Sequence, residues 1–305
     1  MIKRRNFIKY LAANSALAAI VSRSGLASLQ AVTRKAIPST GELLPVIGMG
    51  SWQTFDVRDD DRALATRLRI MQTFFDMGGI LIDSSPMYGA SESVIGHCLE
   101  KLAYKPALFS ATKVWKQGRG EGIRQMTSSR RKWGVDMFDL MQIHNMLDWE
   151  NHIETLKDWK AGNRIRYIGI TTSHGRRHEP LQEALRREPF DFVQFTYNIL
   201  DREAEQRLLP LAADRGLAVI INRPFRGGGL FSVVRGKPLP AWAGEIDCEN
   251  WAQFFLKFIV SHPAVTCAIP ATSQLRHMQE NMAAGFGRLP DAITRQRMIR
   301  YMENV

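Results

Sequence analysis

Three cysteines in 305 residues, Cys98, Cys248 and Cys267, are too few and too scattered for a disulfide framework, and none stands in a CxxC pair. They read as small core or loop residues. No segment repeats at a period of about 20–50 residues, which removes solenoids and propellers. No apolar run approaches the roughly 20 residues that cross a bilayer, so no stable membrane span is expected. The first 35 residues lack acid altogether, while holding Lys3, Arg4, Arg5, Lys9, Arg23, Arg34 and Lys35. Those seven carry most of the net charge of +11 and leave only +4 for the other 270 residues. A basic head on a nearly balanced body is a targeting pattern, and nucleic acid is not expected as a partner. What remains, 45% hydrophobic and 23% charged with 23 Gly and 13 Pro, matches an average globular chain with turns.

The head itself is patterned. Arg4-Arg5 leads into Asn6-Phe7-Ile8-Lys9, then into a weakly apolar stretch, Leu11 to Val21, that includes Asn14 and Ser15, then into small residues ending Gly25-Leu26-Ala27. It resembles a twin-arginine (Tat) export signal with a small-x-small cleavage site. The stretch is too short and too polar for the roughly 30 Å hydrocarbon core. The resemblance implies the twin-arginine export machinery as a partner and a periplasmic location, reached already folded and with any cofactor loaded in the cytoplasm. The alternative is a disordered basic tail on a cytoplasmic protein. Residues 1–35 are accordingly taken as signal and linker and residues 36–305 as one domain.

That domain alternates short Val/Ile/Leu/Phe-rich runs, at 46–50, 80–83, 107–113, 139–144, 165–171, 192–198, 218–222 and 265–270, with longer amphipathic stretches. The helix-like stretches are 60–77, 91–103, 121–133, 149–161, 179–187, 201–215, 249–261 and 273–284, with an extra one at 291–303. Near-continuous apolar strands alternating with helices mean a parallel sheet covered on its outer face, and eight such units predict an α/β fold closed as a (β/α)8 TIM barrel. An open doubly wound sheet is the alternative, but it would normally carry GxGxxG after its first strand. Here that position reads Gly48-Met49-Gly50-Ser51-Trp52, without the third glycine.

In such a barrel the chemistry sits where the strands end. The second run ends at Asp83, the third at Lys113 and the fourth at His144, and Tyr88 lies five residues past Asp83. Singly, each has an ordinary explanation as a turn cap, a rim residue, a snorkelling lysine or a core histidine. Their coincidence at consecutive strand ends points to one site. A tyrosine acts as a general acid near neutral pH if a neighbouring ammonium lowers its pKa of about 10, and a carboxylate beside that ammonium keeps it charged. His174 and His178 in the run HGRRH have the spacing of two metal ligands on a helix, but Gly175 and the lack of a third nearby ligand favour a solvated loop, and no metal is expected.

The segment Asp83-Ser84-Ser85-Pro86-Met87-Tyr88-Gly89-Ala90-Ser91-Glu92 resembles the D-x-x-x-x-Y-G-x-x-E stretch of the aldo-keto reductases. The resemblance runs on through Ala111-Thr112-Lys113-Val114-Trp115, Gln142-Ile143-His144, Ile165-Arg166-Tyr167-Ile168-Gly169 and Ile269-Pro270-Ala271-Thr272-Ser273, with Glu280-Asn281 behind it. It implies a barrel that binds NADPH extended across the strand ends and reduces an aldehyde or ketone. By this resemblance Tyr88 donates the proton, Lys113 lowers its pKa, Asp83 pairs with Lys113, and His144 orients or polarises the carbonyl.

The same resemblance places the nicotinamide carboxamide on Thr171, Thr172 and Gln194. Asn222 stands where the family has a stacking aromatic ring, followed by Arg223-Pro224-Phe225, and the glycines Gly227, Gly228 and Gly229 offer backbone N–H groups to the pyrophosphate. Thr272, Ser273, Arg276, His277, Glu280 and Asn281 fall at the adenosine end. The family's lysine there is Ala271, and its arginine falls on His277 with Arg276 one position away, which still favours NADP over NAD. Trp52, Met87 and Trp115 stand nearest the substrate, either as apolar walls for an apolar or aromatic carbonyl or as packing residues of the rim. Only about twenty residues follow position 285, so an open, permissive pocket is expected. Two other activities stay open: a non-catalytic NADP(H)-binding subunit or sensor, and a lyase or isomerase using Lys113 as a Schiff-base amine.

Overall fold

All eight apolar runs become strands of one sheet: β3 (Met49–Gly50), β4 (Leu81–Asp83), β5 (Phe109–Val114), β6 (Phe138–Ile143), β7 (Ile165–Thr171), β8 (Phe192–Thr196), β9 (Ala218–Asn222) and β10 (Cys267–Ala268). The computed structural model describes residues 31–58, 60–102 and 107–305, so the export signal expected within residues 1–30 lies outside the described residues. The strands pair in chain order and in parallel. Parallel bridges Ile47–Ala268 and Gly50–Ala271 join the first strand to the last and close the ring. An open doubly wound sheet is thereby excluded.

Between the strands run helices Asp61–Asp76, Ser91–Lys101, Arg119–Trp133, Trp149–Ala161, His178–Arg187, Leu208–Asp214, Trp251–Val260 and Leu275–Ala283, with Ala292–Glu303 last. The helix expected over 201–215 is shorter, with only a 3-10 turn at Glu203–Glu205 ahead of it. Pro210 is the cause: it lacks an N–H and its ring crowds the carbonyl four residues back, so it is accepted only in a first turn. Among the described residues no helix is long and apolar enough to cross a membrane. The three cysteines are free and buried.

A hairpin precedes the barrel: β1 (Arg34–Ala36) pairs antiparallel with β2 (Leu43–Pro45). Three residues a side are too few for alternation to show in sequence. Its Ile37 and Leu44 join the core inside the barrel, and Lys35 Nζ donates to the carbonyls of His262 and Val265, 2.7 Å each. The compact unit runs from Val32 to Val305, so the strand Arg34–Ala36 crosses the boundary expected after residue 35.

Two layers of core follow from strand alternation. Residues on one parity pack outward against the helices; those on the other fill the barrel, among them Leu81, Phe109, Ala111, Leu140, Phe192, Ala218 and Ile220. Continuing that inward parity by two residues reaches Asp83 on β4, Lys113 on β5, Gln142 on β6, Gln194 on β8 and Asn222 on β9. The apolar plug thus gives way to polar residues at the strands' carboxyl ends. Gly169 on β7 leaves the room: a Cβ there would lie 2.8 Å from Gln142 Cγ.

Candidate active site

Lys113 and Asp83 form a buried ion pair, Nζ to Oδ2, with the lysine side chain 0% exposed. A buried charge is tolerated only when paired and fully hydrogen-bonded. Both are: Lys113 also donates to the Ser84 carbonyl at 2.8 Å, and Asp83 Oδ1 accepts from Gln142 Nε2 at 2.8 Å and Gln194 Nε2 at 3.0 Å. Burial alone would disfavour the ammonium, but Asp83 and the Tyr88 hydroxyl, which Lys113 hydrogen-bonds, hold its pKa above the ordinary value. Lys113 Nζ lies 5.2 Å from the centre of the Tyr88 ring.

Tyr88 is partly open to solvent. Its surroundings nevertheless raise the phenol's pKa, because desolvation outweighs the lowering by Lys113. The ammonium acts in the expected sense without setting the net direction.

His144 opens a turn, His144–Met146, directly after β6. Burial, and then the charge of Lys113, lower its pKa to about 3, so the imidazole is neutral. Its Nδ1 is 2.8 Å from Ser85 Oγ, its ring stands edge-on to Tyr88 at 5.7 Å between centres, and Trp115 lies 6.3 Å away. The four residues expected from the strand ends therefore meet in one mouth. A phenol and a neutral imidazole there can donate hydrogen bonds to one oxygen that gains negative charge, while the buried Lys113 ammonium, its three hydrogens already given to Asp83, Ser84 and Tyr88, acts through the phenol.

The loop carrying Tyr88 is keyed by Asp56. Its carboxylate accepts the Ala90 N–H at 2.8 Å, and Gly89 sits at φ +60° where a Cβ would come within 2.3 Å of both carboxylate oxygens.

Around the mouth, Thr171 Oγ1 accepts the Asn145 N–H at 2.9 Å, and Thr172 Oγ1 donates to the Arg176 carbonyl at 2.5 Å. Asn222 donates to the Thr172 carbonyl at 2.9 Å and accepts from Thr196 Oγ1 at 2.7 Å, tying the ends of β7, β8 and β9 together. Arg223 stacks 5.9 Å over the ring of Trp52 and has no ion pair among the described residues. Pro224 and Phe225 lead on, Phe225 packing 4.9 Å from Phe231. Gly227 and Gly228 both have positive φ, and Gly229 opens the short helix Gly229–Val233, so the glycine run is a shaped turn. A cavity of about 310 Å³, lined by His174, His178, Thr196, Arg223 and Arg226 among others, opens beside it.

At the far end, Thr272 Oγ1 accepts the Gln274 N–H at 3.1 Å, and Arg67, on the first helix, donates to the Ser273 carbonyl at 3.4 Å. Arg276 is 78% exposed and 3.5 Å from Glu280, with His277 beside it and Asn281 buried in the same helix. Trp52 and Trp115, 37% and 40% exposed, stand on the rim, and Met87 is half-buried. His174 lies in a turn at φ +62° whereas His178 begins a helix, so the two do not share a helical face. Among the described residues no group of three or more metal-ligating side chains forms.

Two polar partners stand in the segments that carry the resemblance but had no role assigned from the sequence, Gln142 and Ser85. Gln142 is a buried amide within the apolar run of β6, and that interruption was the signal available. Ser85 carried no pattern, since its role depends on the approach of two loops.

The donor set suits an anionic dinucleotide: an unpaired Arg223, backbone N–H groups at a glycine turn, and amide and hydroxyl groups at the mouth. A family model described as Aldo/keto reductase family matches residues 46–296. The aldo-keto reductase YhdN of Bacillus subtilis is 24% identical over 200 residues, covering 61% of this chain and 60% of that protein. An NADH-specific methylglyoxal reductase of Escherichia coli is 27% identical over 194 residues, covering 53% and 57%. The chain thus spans less than two thirds of the length of either. An aldo/keto reductase from Klebsiella pneumoniae, solved with NADP and acetate, superposes with a TM-score of 0.70 at 23% identity over 86% of this chain and 93% of that one.

Proposed function

Because the chain belongs to the aldo/keto reductase family, we propose that it reduces an aldehyde or ketone to an alcohol using NADPH, with Tyr88 as the proton donor. The observation that carries this is the buried Asp83–Lys113 pair set against Tyr88 with a neutral His144 beside it. NADPH, when bound, supplies the hydride. Asp83 keeps Lys113 charged; Lys113 favours the phenolate that Tyr88 becomes as it gives its proton to the carbonyl oxygen; His144 donates a hydrogen bond to that oxygen and keeps its proton. Thr171, Thr172 and Gln194 would hold the nicotinamide end, Arg223 and the Gly227–Gly229 turn the pyrophosphate, and Arg276 the 2′-phosphate.

NADPH is favoured over NADH because Arg276 is 78% exposed and its surface pairing with Glu280 at 3.5 Å is weak enough to yield to a phosphate, and the Klebsiella protein carries NADP. The Escherichia coli relative is NADH-specific, which makes the choice an experimental one. The test is a titration of the purified protein with each cofactor, followed by turnover on apolar, aromatic and small aldehydes. Tight NADPH binding with no turnover on any of them would favour the non-catalytic subunit. Trapping of substrate on Lys113 by borohydride would favour Schiff-base chemistry.

The head of the chain supports a second proposal: export, already folded, by the twin-arginine route to the periplasm. Cofactor bound before export stabilises the cargo by RT ln(1 + [L]/Kd), about 2.7 kcal/mol at a hundredfold excess. Replacing Arg4 and Arg5 by Lys should retain the protein in the cytoplasm; wild-type protein found only there, at full length, would end the proposal.

A further inference from the structure

We infer that Ser85 sets the tautomer of His144, so that the ring carries its hydrogen on Nε2 and presents it to the substrate carbonyl. The inference deepens the reductase proposal and rests on it only for what the imidazole does to substrate.

The argument is a count of hydrogens in a dry place. Ser85 is 0% exposed and His144 4%. Ser85 Oγ accepts the Met87 N–H at 3.2 Å and lies 2.8 Å from His144 Nδ1. A hydroxyl has one hydrogen to give and two lone pairs. One lone pair is taken by Met87, and among the described residues no acceptor other than Nδ1 lies within reach of the Ser85 hydrogen. If Nδ1 carried the ring proton, Ser85 would accept twice and its own hydrogen would be stranded in a buried site. Stranding a buried donor disfavours that arrangement by on the order of tenfold or more. The imidazolium does not compete, since burial and Lys113 hold the ring's pKa near 3. The ring proton therefore sits on Nε2.

Nε2 is also free for the task. It makes no hydrogen bond among the described residues, yet it is not among the buried polar atoms left without a partner, so it reaches the open mouth. There it adds a second donor beside Tyr88. As hydride adds to the carbonyl carbon, the π pair moves onto oxygen, Tyr88 gives that oxygen its proton, and the hydrogen bond from Nε2–H to the oxygen shortens while the N–H bond stays intact. The other tautomer would aim a lone pair at the oxygen and oppose the same step. Ser85 is thus a positioning residue, and through Met87 its one hydroxyl also holds the loop that carries Tyr88.

The test is nitrogen NMR on protein labelled at histidine, with the His144 signals assigned by their loss in His144→Gln. In the substrate-free wild type, Nδ1 should appear as the bare nitrogen and Nε2 as the protonated one. Ser85→Ala should move both toward a mixed position, lower kcat on an aldehyde about tenfold, and leave Kd for NADPH within about twofold. Ser85→Thr, which keeps the hydroxyl, should restore spectrum and kcat together. A wild-type ring protonated on Nδ1, or a fall in kcat without any change in the spectrum, would overturn the inference. The expected spectrum in a protein that turns over no carbonyl would leave the tautomer standing and remove the reductase proposal instead.

Discussion

Replacing Asp83 by Asn removes one charge and reverses one hydrogen bond at the centre of the site. Asp83 accepts from Lys113 Nζ on one oxygen and from two glutamine amides on the other. An asparagine offers one accepting oxygen and one donating amide, so whichever way it turns, a donor faces a donor. Lys113, with its side chain 0% exposed, loses its counter-charge in either orientation and is left with neutral acceptors, the Ser84 carbonyl and a partly open phenol among them. Breaking a buried ion pair on one side costs about 3–5 kcal/mol, a large share of the 5–15 kcal/mol typical of a folded domain. At about 2–4 °C per kcal/mol this corresponds to a fall in Tm of roughly 10 °C. The lysine can escape part of the cost by losing its proton, and it then no longer supports the Tyr88 phenolate. Asp83→Asn should therefore lose stability and activity together, whereas adding Lys113→Met should recover most of the stability and none of the activity. Calorimetry and steady-state reduction assays on both variants measure this. A Tm for Asp83→Asn within about 2 °C of wild type, or a double variant less stable than the single, would refute the reasoning.

Gly89→Ala is expected to cost about 1–2 kcal/mol for the left-handed backbone alone, and more because its Cβ would collide with the Asp56 carboxylate. Urea unfolding should show this loss, kcat should fall more than tenfold as Tyr88 is displaced, and Asp56→Ala in the same chain should return part of the stability. Because burial raises the Tyr88 pKa above its ordinary 10.0, the acid form should persist through neutrality, with reduction failing only as pH rises past about 10; a loss of rate centred near pH 7 would contradict this. His144, lowered to about 3 from an ordinary 6.5, binds fewer protons folded than unfolded between those values. Stability should therefore fall as pH drops from about 6.5 toward 3, and His144→Gln should flatten that slope.

The barrel was legible because its rule is local: eight apolar runs, each long enough to be a strand, alternate with amphipathic helices. Asp83, Lys113 and His144 were legible for the same reason, since each closes such a run. Pro210 shows where the rule needed a second one, for a proline limits a helix whatever the periodicity around it. Gln142 and Ser85 were harder, because their partners, Asp83 and His144, are brought to them only by ring closure and by two loops meeting. The direction of the Tyr88 shift was missed for a related cause: sequence names the ammonium that lowers the pKa, while the desolvation that outweighs it comes from packing. Asp56 escaped because its carboxylate acts on a backbone N–H some thirty residues away, which leaves no spacing to recognise.

The central claim is that this mouth reduces a carbonyl with Tyr88 as its acid. A single-turnover experiment tests it directly: wild type and Tyr88→Phe are each loaded with NADPH, mixed with an excess of aldehyde, and followed by the loss of nicotinamide absorbance. Wild type should oxidise its bound cofactor in one exponential phase. Tyr88→Phe should bind NADPH with nearly the same affinity and react on the order of 10²–10⁴-fold more slowly. A Tyr88→Phe variant that keeps most of the wild-type rate would contradict the account.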